Sequence, residues 1–280
     1  MASEPEYVFT RDYIDNNRIN LQHYQWVELF GYHIHPCIPV TDANLQVADV
    51  GTGTGLWLTD LSKRLPPTAQ LDGFDISLKA TPPIEWLPGN LKFRLWDVKE
   101  PVPNEFIEKY DIVHLRLFGF VLRDDEVSPV LKNVVRLLKP GGFLQWDEAD
   151  LTSFRIEKTN PTNSTEGLQQ LLKLSTSQDT RLIPTWAPRL PDLFSEAGLD
   201  DVQDDKRDAP GHLALAMHEC NLAVHSLLAQ TTKSEQLATE LEGVLSRAAA
   251  ETRNGACWAF TRSAVVGMKP TSHSMPINET

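Results

Sequence analysis

The chain has 280 residues, of which 41% are hydrophobic and 23% are charged, a composition typical of a folded globular protein. Its formal net charge of -12 disfavours nucleic acids and anionic membrane surfaces as partners, because no run of basic residues offsets the repulsion. The N-terminus carries Glu4 and Glu6 instead of a basic start and an apolar stretch, so we expect no signal peptide. No run of about 18 apolar residues predicts a transmembrane helix.

The three cysteines, Cys37, Cys220 and Cys257, are odd in number and widely spaced, and none belongs to a Cys-x-x-Cys pair. This pattern is typical of reduced thiols in the cytoplasm and not of disulfides or a zinc site. We therefore expect a cytoplasmic protein that binds no metal.

The first half of the chain alternates between predicted strands and helices. Apolar residues at helical spacing predict one or two helices over residues 11–36. Short apolar runs and amphipathic segments then predict strands at 45–50, 70–76, 91–96, 110–115 and 143–146, with helices at 54–65 and 127–138. Strands alternating with helices imply a doubly wound α/β fold with a Rossmann-like parallel sheet.

The second half is predicted to be mainly helical. Helices are expected at 167–175, 190–197, 212–229 and 234–252. A closing strand is expected at 258–266, with 202–207 as a weaker partner strand.

A glycine-rich loop, Asp49-Val50-Gly51-Thr52-Gly53-Thr54-Gly55, follows the first predicted strand. Glycines at this turn let a ligand approach bare backbone, and nucleotide-like ligands bind at this position of a parallel sheet. The dinucleotide pattern requires a glycine where this chain has Leu56, which disfavours an NAD-dependent oxidoreductase. The glycine spacing and the preceding Asp49 instead resemble the first motif of class I methyltransferases.

Acidic residues follow the next two predicted strands. Asp75 lies about 20 residues after Gly55, where nucleotide-binding folds have a ribose-binding carboxylate. In class I methyltransferases an acid after the third strand accepts from the adenine amino group, and Asp97 matches that position. The same resemblance implies that Ile76 and Val98 lie beside the adenine ring. For each aspartate the alternative is a turn residue that faces water.

Several further motifs extend the likeness. They are Asn17-Arg18-Ile19-Asn20-Leu21-Gln22-His23, Gly73-Phe74-Asp75-Ile76-Ser77, Leu87-Pro88-Gly89-Asn90-Leu91-Lys92-Phe93, Asp111-Ile112-Val113-His114-Leu115-Arg116, Leu138-Lys139-Pro140-Gly141-Gly142 and Gln145-Trp146-Asp147-Glu148. Together they resemble the fungal secondary-metabolism methyltransferases related to LaeA and UMTA, well over residues 8–150 and loosely beyond. Asn16-Asn17 is a departure, since relatives often have an acidic residue there.

The resemblance implies a seven-stranded methyltransferase domain over residues 41–270, with a helical cap or lid at 1–40. Helical elements at about 160–255 would cover the substrate, and a disordered tail would occupy 271–280. S-adenosylmethionine would be the cofactor, and the methyl acceptor would be an oxygen, nitrogen or sulfur atom of a small molecule such as a fungal metabolite. A regulatory binding protein without turnover, or another reaction on the same fold, remains an alternative.

The implied cofactor-binding residues include the loop and the residues at the strand ends. They are Asp49, Gly51, Thr52, Gly53, Gly55, Asp75, Ile76, Asp97, Val98 and His114. His114 is also a candidate catalytic residue, because imidazole titrates near neutral pH, although a histidine hydrogen-bonded in a loop is the alternative. Glu148 is the second candidate, as a base or an orienting acceptor.

Four residues are candidates for substrate binding. Arg116 is expected either to orient an anionic or carbonyl group or to pair with Asp147 or Glu148. Trp146 would form an apolar wall, and His23 would close over the ligand from the N-terminal helix. His218 would line the pocket together with His225, seven residues further along the same predicted helix face, with a helix surface facing water as the alternative.

Overall fold

A computed structural model describes residues 11–176, 184–232 and 234–271. Its strands are β1 (Gln46–Val50), β2 (Gln70–Asp75), β3 (Leu91–Leu95), β4 (Tyr110–Arg116), β5 (Leu138–Lys158), β6 (Asp200–Arg207) and β7 (Ala256–Met268). They form one seven-stranded sheet in the order β3-β2-β1-β4-β5-β7-β6. Neighbouring strands are parallel from β3 to β5, whereas β7 runs antiparallel to both β5 and β6. The predicted doubly wound α/β fold is confirmed.

The α-helices are α1 (Tyr13–Phe30), α2 (Leu56–Leu61), α3 (Val127–Leu137), α4 (Glu166–Thr176), α5 (Leu190–Glu196), α6 (Gly211–Thr231) and α7 (Glu235–Arg253). In α1 the side chain of Asp12 accepts hydrogen bonds from the N–H groups of Ile14 and Asp15, which caps the first turn. Gly31 ends this helix with a left-handed φ of 72°. The region predicted as helical over 11–36 is therefore one helix that stops earlier.

Strand β5 differs most from the prediction, which gave a strand at 143–146 after a turn at Pro140-Gly141-Gly142. The N–H of Gly141 donates to the carbonyl of Lys269 at 2.8 Å, so this segment is held in the sheet. Antiparallel pairing with β7 continues as far as Lys158, opposite Ala256. The length of β5 depends on its pairing with β7, a segment far away in the sequence. No local pattern reveals this pairing.

Buried apolar side chains cover both faces of the sheet. Val50 belongs to the same cluster as Phe74 and Trp146, whereas Val47 of the same strand belongs to a second cluster with Leu58 of α2. Consecutive side chains of a strand point to opposite faces, so β1 is packed on both sides, as expected of a central parallel strand.

Helices α1, α4, α6 and α7 form a cover beside β7. Trp26 of α1 shares an apolar cluster with Met217 of α6, and Leu171 of α4 shares another with Val244 of α7. Within the described ranges, no helix combines the length and apolar character needed to cross a bilayer. The tail predicted to be disordered lies outside the described residues from position 272 onward.

A buried carboxylate ties β2 to its neighbours. Asp72 accepts hydrogen bonds of 2.9 Å each from Arg94 Nε, Lys109 Nζ and Tyr110 Oη. Burial alone would raise the pKa of Asp72, but the Lys109, Arg94 and Tyr110 donors lower it below the ordinary value. The carboxylate is therefore ionised and fully partnered inside the fold.

We expect Asp72→Ala to lower the free energy of unfolding by about 3 kcal/mol, because it leaves the three donors without their acceptor. Urea unfolding followed by circular dichroism would measure the change. Glu196→Ala is the matched control, since its contact with Arg189 is long, at 3.9 Å, and both side chains are 62% exposed; it should cost less than about 0.5 kcal/mol. Equal losses in the two variants would contradict the prediction.

Candidate active site

A cavity of about 960 Å³ opens at the carboxyl ends of the parallel strands. Ligand pockets commonly measure about 300–1,000 Å³, so this one has room for two small ligands. Its glycine-loop end is formed by residues 51–54 and nearby carboxylates. Its other end, which we call the aromatic end, is lined by Leu151, Phe154, Leu172, Val224, Leu228, Trp258 and Phe260.

All three loop glycines have left-handed φ angles, of 69° at Gly51, 56° at Gly53 and 71° at Gly55. A Cβ on Gly51 would lie 2.6 Å from the Phe118 ring. A Cβ on Gly53 would meet nothing closer than 3.8 Å, so the bare backbone there faces open space. Gly55 packs against the Phe93 ring and does not line the cavity, so the expectation that it contacts the cofactor is not met.

Asp75 lies at the end of β2 and lines the cavity. Its Oδ2 accepts from the N–H of Gly53 at 2.9 Å, and its Oδ1 accepts from the N–H of Ser77 at 3.1 Å. Burial raises its pKa, although these two donors act in the opposite direction. A carboxylate has about four acceptor positions, so lone pairs remain for hydroxyl groups of a ligand.

The other residues expected at this end also line the cavity, namely Asp49, Thr52, Ile76, Asp97, Val98 and His114. Asp97 is half-buried and its Oδ1 accepts from the N–H of Lys99 at 2.9 Å. The buried Oγ1 of Thr52 has no hydrogen-bond partner among the described residues. The Asp97 carboxylate therefore keeps acceptor positions unused at the glycine-loop end.

His114 lies between two carboxylates and is buried. Its Nδ1 is 2.7 Å from Asp49 Oδ1, and its Nε2 is 3.1 Å from Asp147 Oδ2. The ring stacks on Trp57 with 3.9 Å between the ring centroids. Both ring nitrogens are engaged in these contacts, so neither is free to take a proton from a substrate. This geometry argues against the expected catalytic role of His114 and favours a role in positioning Asp49.

Arg116 pairs with Asp147, one of the two alternatives considered for it. Its Nη2 and Nε lie 2.6 Å and 3.0 Å from Asp147 Oδ2. Burial would raise the pKa of Asp147, but the Arg116 guanidinium and His114 lower it. The guanidinium still lines the cavity and lies over the Trp26 ring, with its Cζ 5.2 Å from the centroid.

His23 connects this pair to helix α2. Its Nδ1 is 3.3 Å from Arg116 Nη1, and its Nε2 is 3.3 Å from Asp60 Oδ2, which His33 Nε2 approaches to 2.7 Å. Burial and the Arg116 charge lower the pKa of His23 to about 4. His23, His33 and Asp60 have ligand atoms within 4.8 Å of one another, but the adjacent guanidinium disfavours a cation there.

Glu148 is fully buried and lines the cavity from the middle of β5, near the carboxyl end of the neighbouring strand β4. Its Oε2 accepts from the N–H of Phe118 at 2.7 Å, and its Oε1 accepts from the N–H of Ala149 at 3.1 Å. Burial raises the pKa of Glu148 to about 7, although the surrounding N–H donors oppose the shift. Its carboxyl group can therefore gain or lose a proton near neutral pH.

Two predicted substrate-binding residues lie away from the cavity. Trp146 is fully buried in the core beneath it, packed against Phe118 and Trp186, and forms no pocket wall. His218 does not line the cavity either, because its Nε2 bonds Thr252 Oγ1 of α7 at 2.8 Å. The histidine of this helix that does line it is His225.

His225, which was expected to line the pocket together with His218, does line the cavity. Its Nδ1 lies 2.8 Å from the carbonyl oxygen of Asn221, so Nδ1 carries the proton and Nε2 is left as an acceptor. Burial lowers its pKa to about 4, which keeps the ring neutral at physiological pH.

Arg262 was not among the sequence candidates, although it lines the cavity. The available signal was that Arg262 is the one charged residue of the predicted strand 258–266. Trp57 was missed as well, because the residue against which it stacks comes from a distant strand.

Comparisons with known proteins agree with this geometry. A family model described as a methyltransferase domain matches residues 47–142. The N-methyltransferase gliN of Aspergillus fumigatus is 31% identical over 216 residues, which cover 74% of this chain and 73% of that protein. The methyltransferase grgD of a Penicillium species is 38% identical over 142 residues, which cover 48% of each protein.

The secondary metabolism regulator laeA of Coprinopsis cinerea is 28% identical over 196 residues, which cover 68% of this chain and 43% of the regulator. Among solved structures, the complex of the Haloferax volcanii Trm112 methyltransferase activator with a putative methyltransferase has a chain that matches with a TM-score of 0.52. That chain is 18% identical, and the match covers 93% of this protein and 99% of that chain. The structural likeness supports the fold. On the match to gliN, the chain belongs to the class I S-adenosylmethionine-dependent methyltransferases related to those of fungal secondary metabolism.

Proposed function

We propose that the cavity binds S-adenosylmethionine at its glycine-loop end and a small-molecule methyl acceptor at its aromatic end. The observation that carries the proposal is the continuity of the cavity, which runs from Asp75 and the Gly53 backbone to Trp258 and Phe260. A methyl donor and a methyl acceptor must meet in line, and one continuous cavity allows this.

The residues at the glycine-loop end suit this cofactor. Asp75 would accept from the ribose hydroxyls, and Asp97 would accept from the adenine amino group between Ile76 and Val98. The bare backbone at Gly53, where a Cβ would meet nothing closer than 3.8 Å, leaves room beside the sugar. When bound, the cofactor supplies an electrophilic methyl group on a sulfonium.

The acceptor atom is best assigned to nitrogen. The relative gliN is named as an N-methyltransferase, and a neutral or weakly acidic N–H is a nucleophile that profits from a base. Glu148 is our candidate for that base, since its raised pKa suits proton transfer near neutral pH. His225 Nε2 would orient the acceptor by accepting one hydrogen bond.

A regulatory role without turnover is the second candidate function, because the chain is also similar to laeA. An assay for transfer of a labelled methyl group to fungal metabolite extracts separates the two. Transfer to a small molecule supports the enzyme, and cofactor binding without any transfer supports the regulator.

We also propose a cytoplasmic location and a lid role for the N-terminal helix. Cys37, Cys220 and Cys257 are all free, which suits a reducing compartment. The net charge of -12 disfavours nucleic acid as a substrate. Arg18, Gln22 and His23 of α1 line the cavity, which suits a cap over its ligands.

We expect Asp75→Ala and Asp97→Ala each to weaken S-adenosylmethionine binding by about 1–3 kcal/mol, since each removes a partly buried acceptor. Isothermal titration calorimetry would measure the dissociation constants. Asp111→Ala is the control, because Asp111 bonds Lys139 and does not line the cavity. Unchanged affinity in both test variants would refute the cofactor assignment.

The raised pKa of Glu148 predicts a pH dependence of stability. Below about pH 4.5 Glu148 is protonated in both the folded and the unfolded protein. Between about pH 4.5 and pH 7 only the folded protein keeps this proton. The contribution of Glu148 to the free energy of unfolding is therefore lost as the pH rises through this interval. Compared with Glu148→Gln, the wild type should lose on the order of 3 kcal/mol over this interval.

Urea unfolding of both proteins at a series of pH values would measure the difference. A difference that stays constant from pH 4.5 to pH 7 would mean that Glu148 has an ordinary pKa. The variant should also lack the rise of methyl-transfer rate with pH near neutrality, and a variant that retains this rise would exclude Glu148 as the base.

A further inference from the structure

Arg262 brings a positive charge to the aromatic end of the cavity. It lies on β7 opposite Ala149 of β5. Alternate residues of a strand share a face, so its side chain points to the same side as Phe260 and Trp258. All four residues line the cavity.

The guanidinium of Arg262 has few partners. Within the described ranges its one hydrogen bond runs from Nη1 to the carbonyl oxygen of Phe260 at 3.1 Å, and no carboxylate forms an ion pair with it. Arg18 and Arg116, which also line the cavity, pair with Asp15 and Asp147 respectively. Arg262 therefore differs from these two arginines in lacking a counterion.

Burying a positive charge without a counterion costs free energy unless hydrogen bonds or a bound anion compensate for the lost hydration. Burial lowers the pKa of Arg262 to about 10, and Arg155 acts in the same direction, whereas Cys220 and Asp208 act in the opposite direction. An arginine has five N–H donors in a planar fork, and one hydrogen bond leaves most of them unused. The unused donors match the geometry of a carboxylate or another planar oxyanion.

The surroundings restrict the rest of the ligand. Phe154 packs against both Trp258 and Phe260, with ring centroids 5.9 Å and 5.5 Å apart. Val224 and Leu228 of α6 complete an apolar wall. Aromatic rings in such a pocket favour a flat, apolar ligand body.

We propose that Arg262 binds an anionic oxygen group, such as a carboxylate or an enolate, on an aromatic methyl acceptor. The proposal rests on the proposed function only in treating the aromatic end as the acceptor site. Arg262 acts here as a binding residue. The acidic group of the acceptor supplies the counterion that Arg262 lacks within the folded chain, and the guanidinium holds the acceptor by that group.

Two fluorescent probes of similar shape test this proposal without knowledge of the natural substrate. 8-Anilinonaphthalene-1-sulfonate is anionic, and N-phenyl-1-naphthylamine is its uncharged counterpart. Arg262→Met should weaken binding of the sulfonate about tenfold or more while changing binding of the neutral probe little. Arg262→Lys should restore part of the sulfonate affinity, since it restores the charge but not the fork.

Arg189→Met is the matched control. Arg189 lies outside the cavity lining, is 62% exposed and contacts Glu196 only at 3.9 Å. Its variant should bind both probes as the wild type does. Equal losses for both probes in Arg262→Met, or no loss for the sulfonate, would overturn the proposal.

A measurement on the wild type covers the case in which the Arg262 variants fail to fold. 2-Naphthoate should displace the sulfonate probe at concentrations at which 2-naphthalenemethanol does not, and equal displacement would refute the charge requirement. Calorimetry with S-adenosylmethionine on the same samples keeps the two proposals separate. Cofactor binding with no preference for the anion refutes Arg262 alone, whereas anion preference without cofactor binding refutes the proposed function alone.

Discussion

A buried chain of charged hydrogen bonds fixes the carboxyl ends of β1 and β4 against the middle of β5, and the cavity depends on it. The carboxylate of Asp147 in β5 contacts the side chains of Arg116 and His114 in β4. The other ring nitrogen of His114 contacts Asp49 of β1. Breaking a buried ion pair typically costs about 3–5 kcal/mol, so each member holds the others in place. Asp49, which immediately precedes the glycine loop in β1, is thereby fixed at the edge of the cavity.

The same chain reaches the N-terminal helix. Arg116 contacts His23 of α1, and His23 contacts Asp60 of α2, the helix that follows the glycine loop. Helix α1 is therefore attached to the sheet by polar contacts at the glycine-loop end. Farther along, α1 packs on α6 through Trp26 and Met217, so its attachment there is apolar. One helix thus spans both chemical environments of the cavity.

The fold and the glycine-loop end could be predicted because their signals are local. The turn at Gly51 and Gly53 requires left-handed backbone, and Asp75 follows the next strand at a fixed distance along the chain. The aromatic end could not be predicted in the same way. Whether His218 or His225 faces the cavity depends on Thr252 of a later helix, which bonds His218.

The full length of β5 could not be predicted from the sequence for a related reason. Residues 150–158 are mostly half-buried or exposed, and their pairing partner lies about 100 residues away, so neither periodicity nor turn residues mark them. The sequence could not decide whether Arg116 binds a ligand or pairs with a carboxylate of the chain, because an arginine side chain suits both roles. Only the position of Asp147 decides between them.

The two-stranded ribbon formed by the far halves of β5 and β7 has an evolutionary consequence. A register shift between Asp150 and Arg155 separates it from the stretch that contains Asp147 and Glu148. Residues added to or deleted from the ribbon would resize the aromatic end of the cavity without altering the strand pairing that anchors the glycine-loop end. Proteins built in this way can vary the shape of one end of a binding cavity while inheriting the other end unchanged.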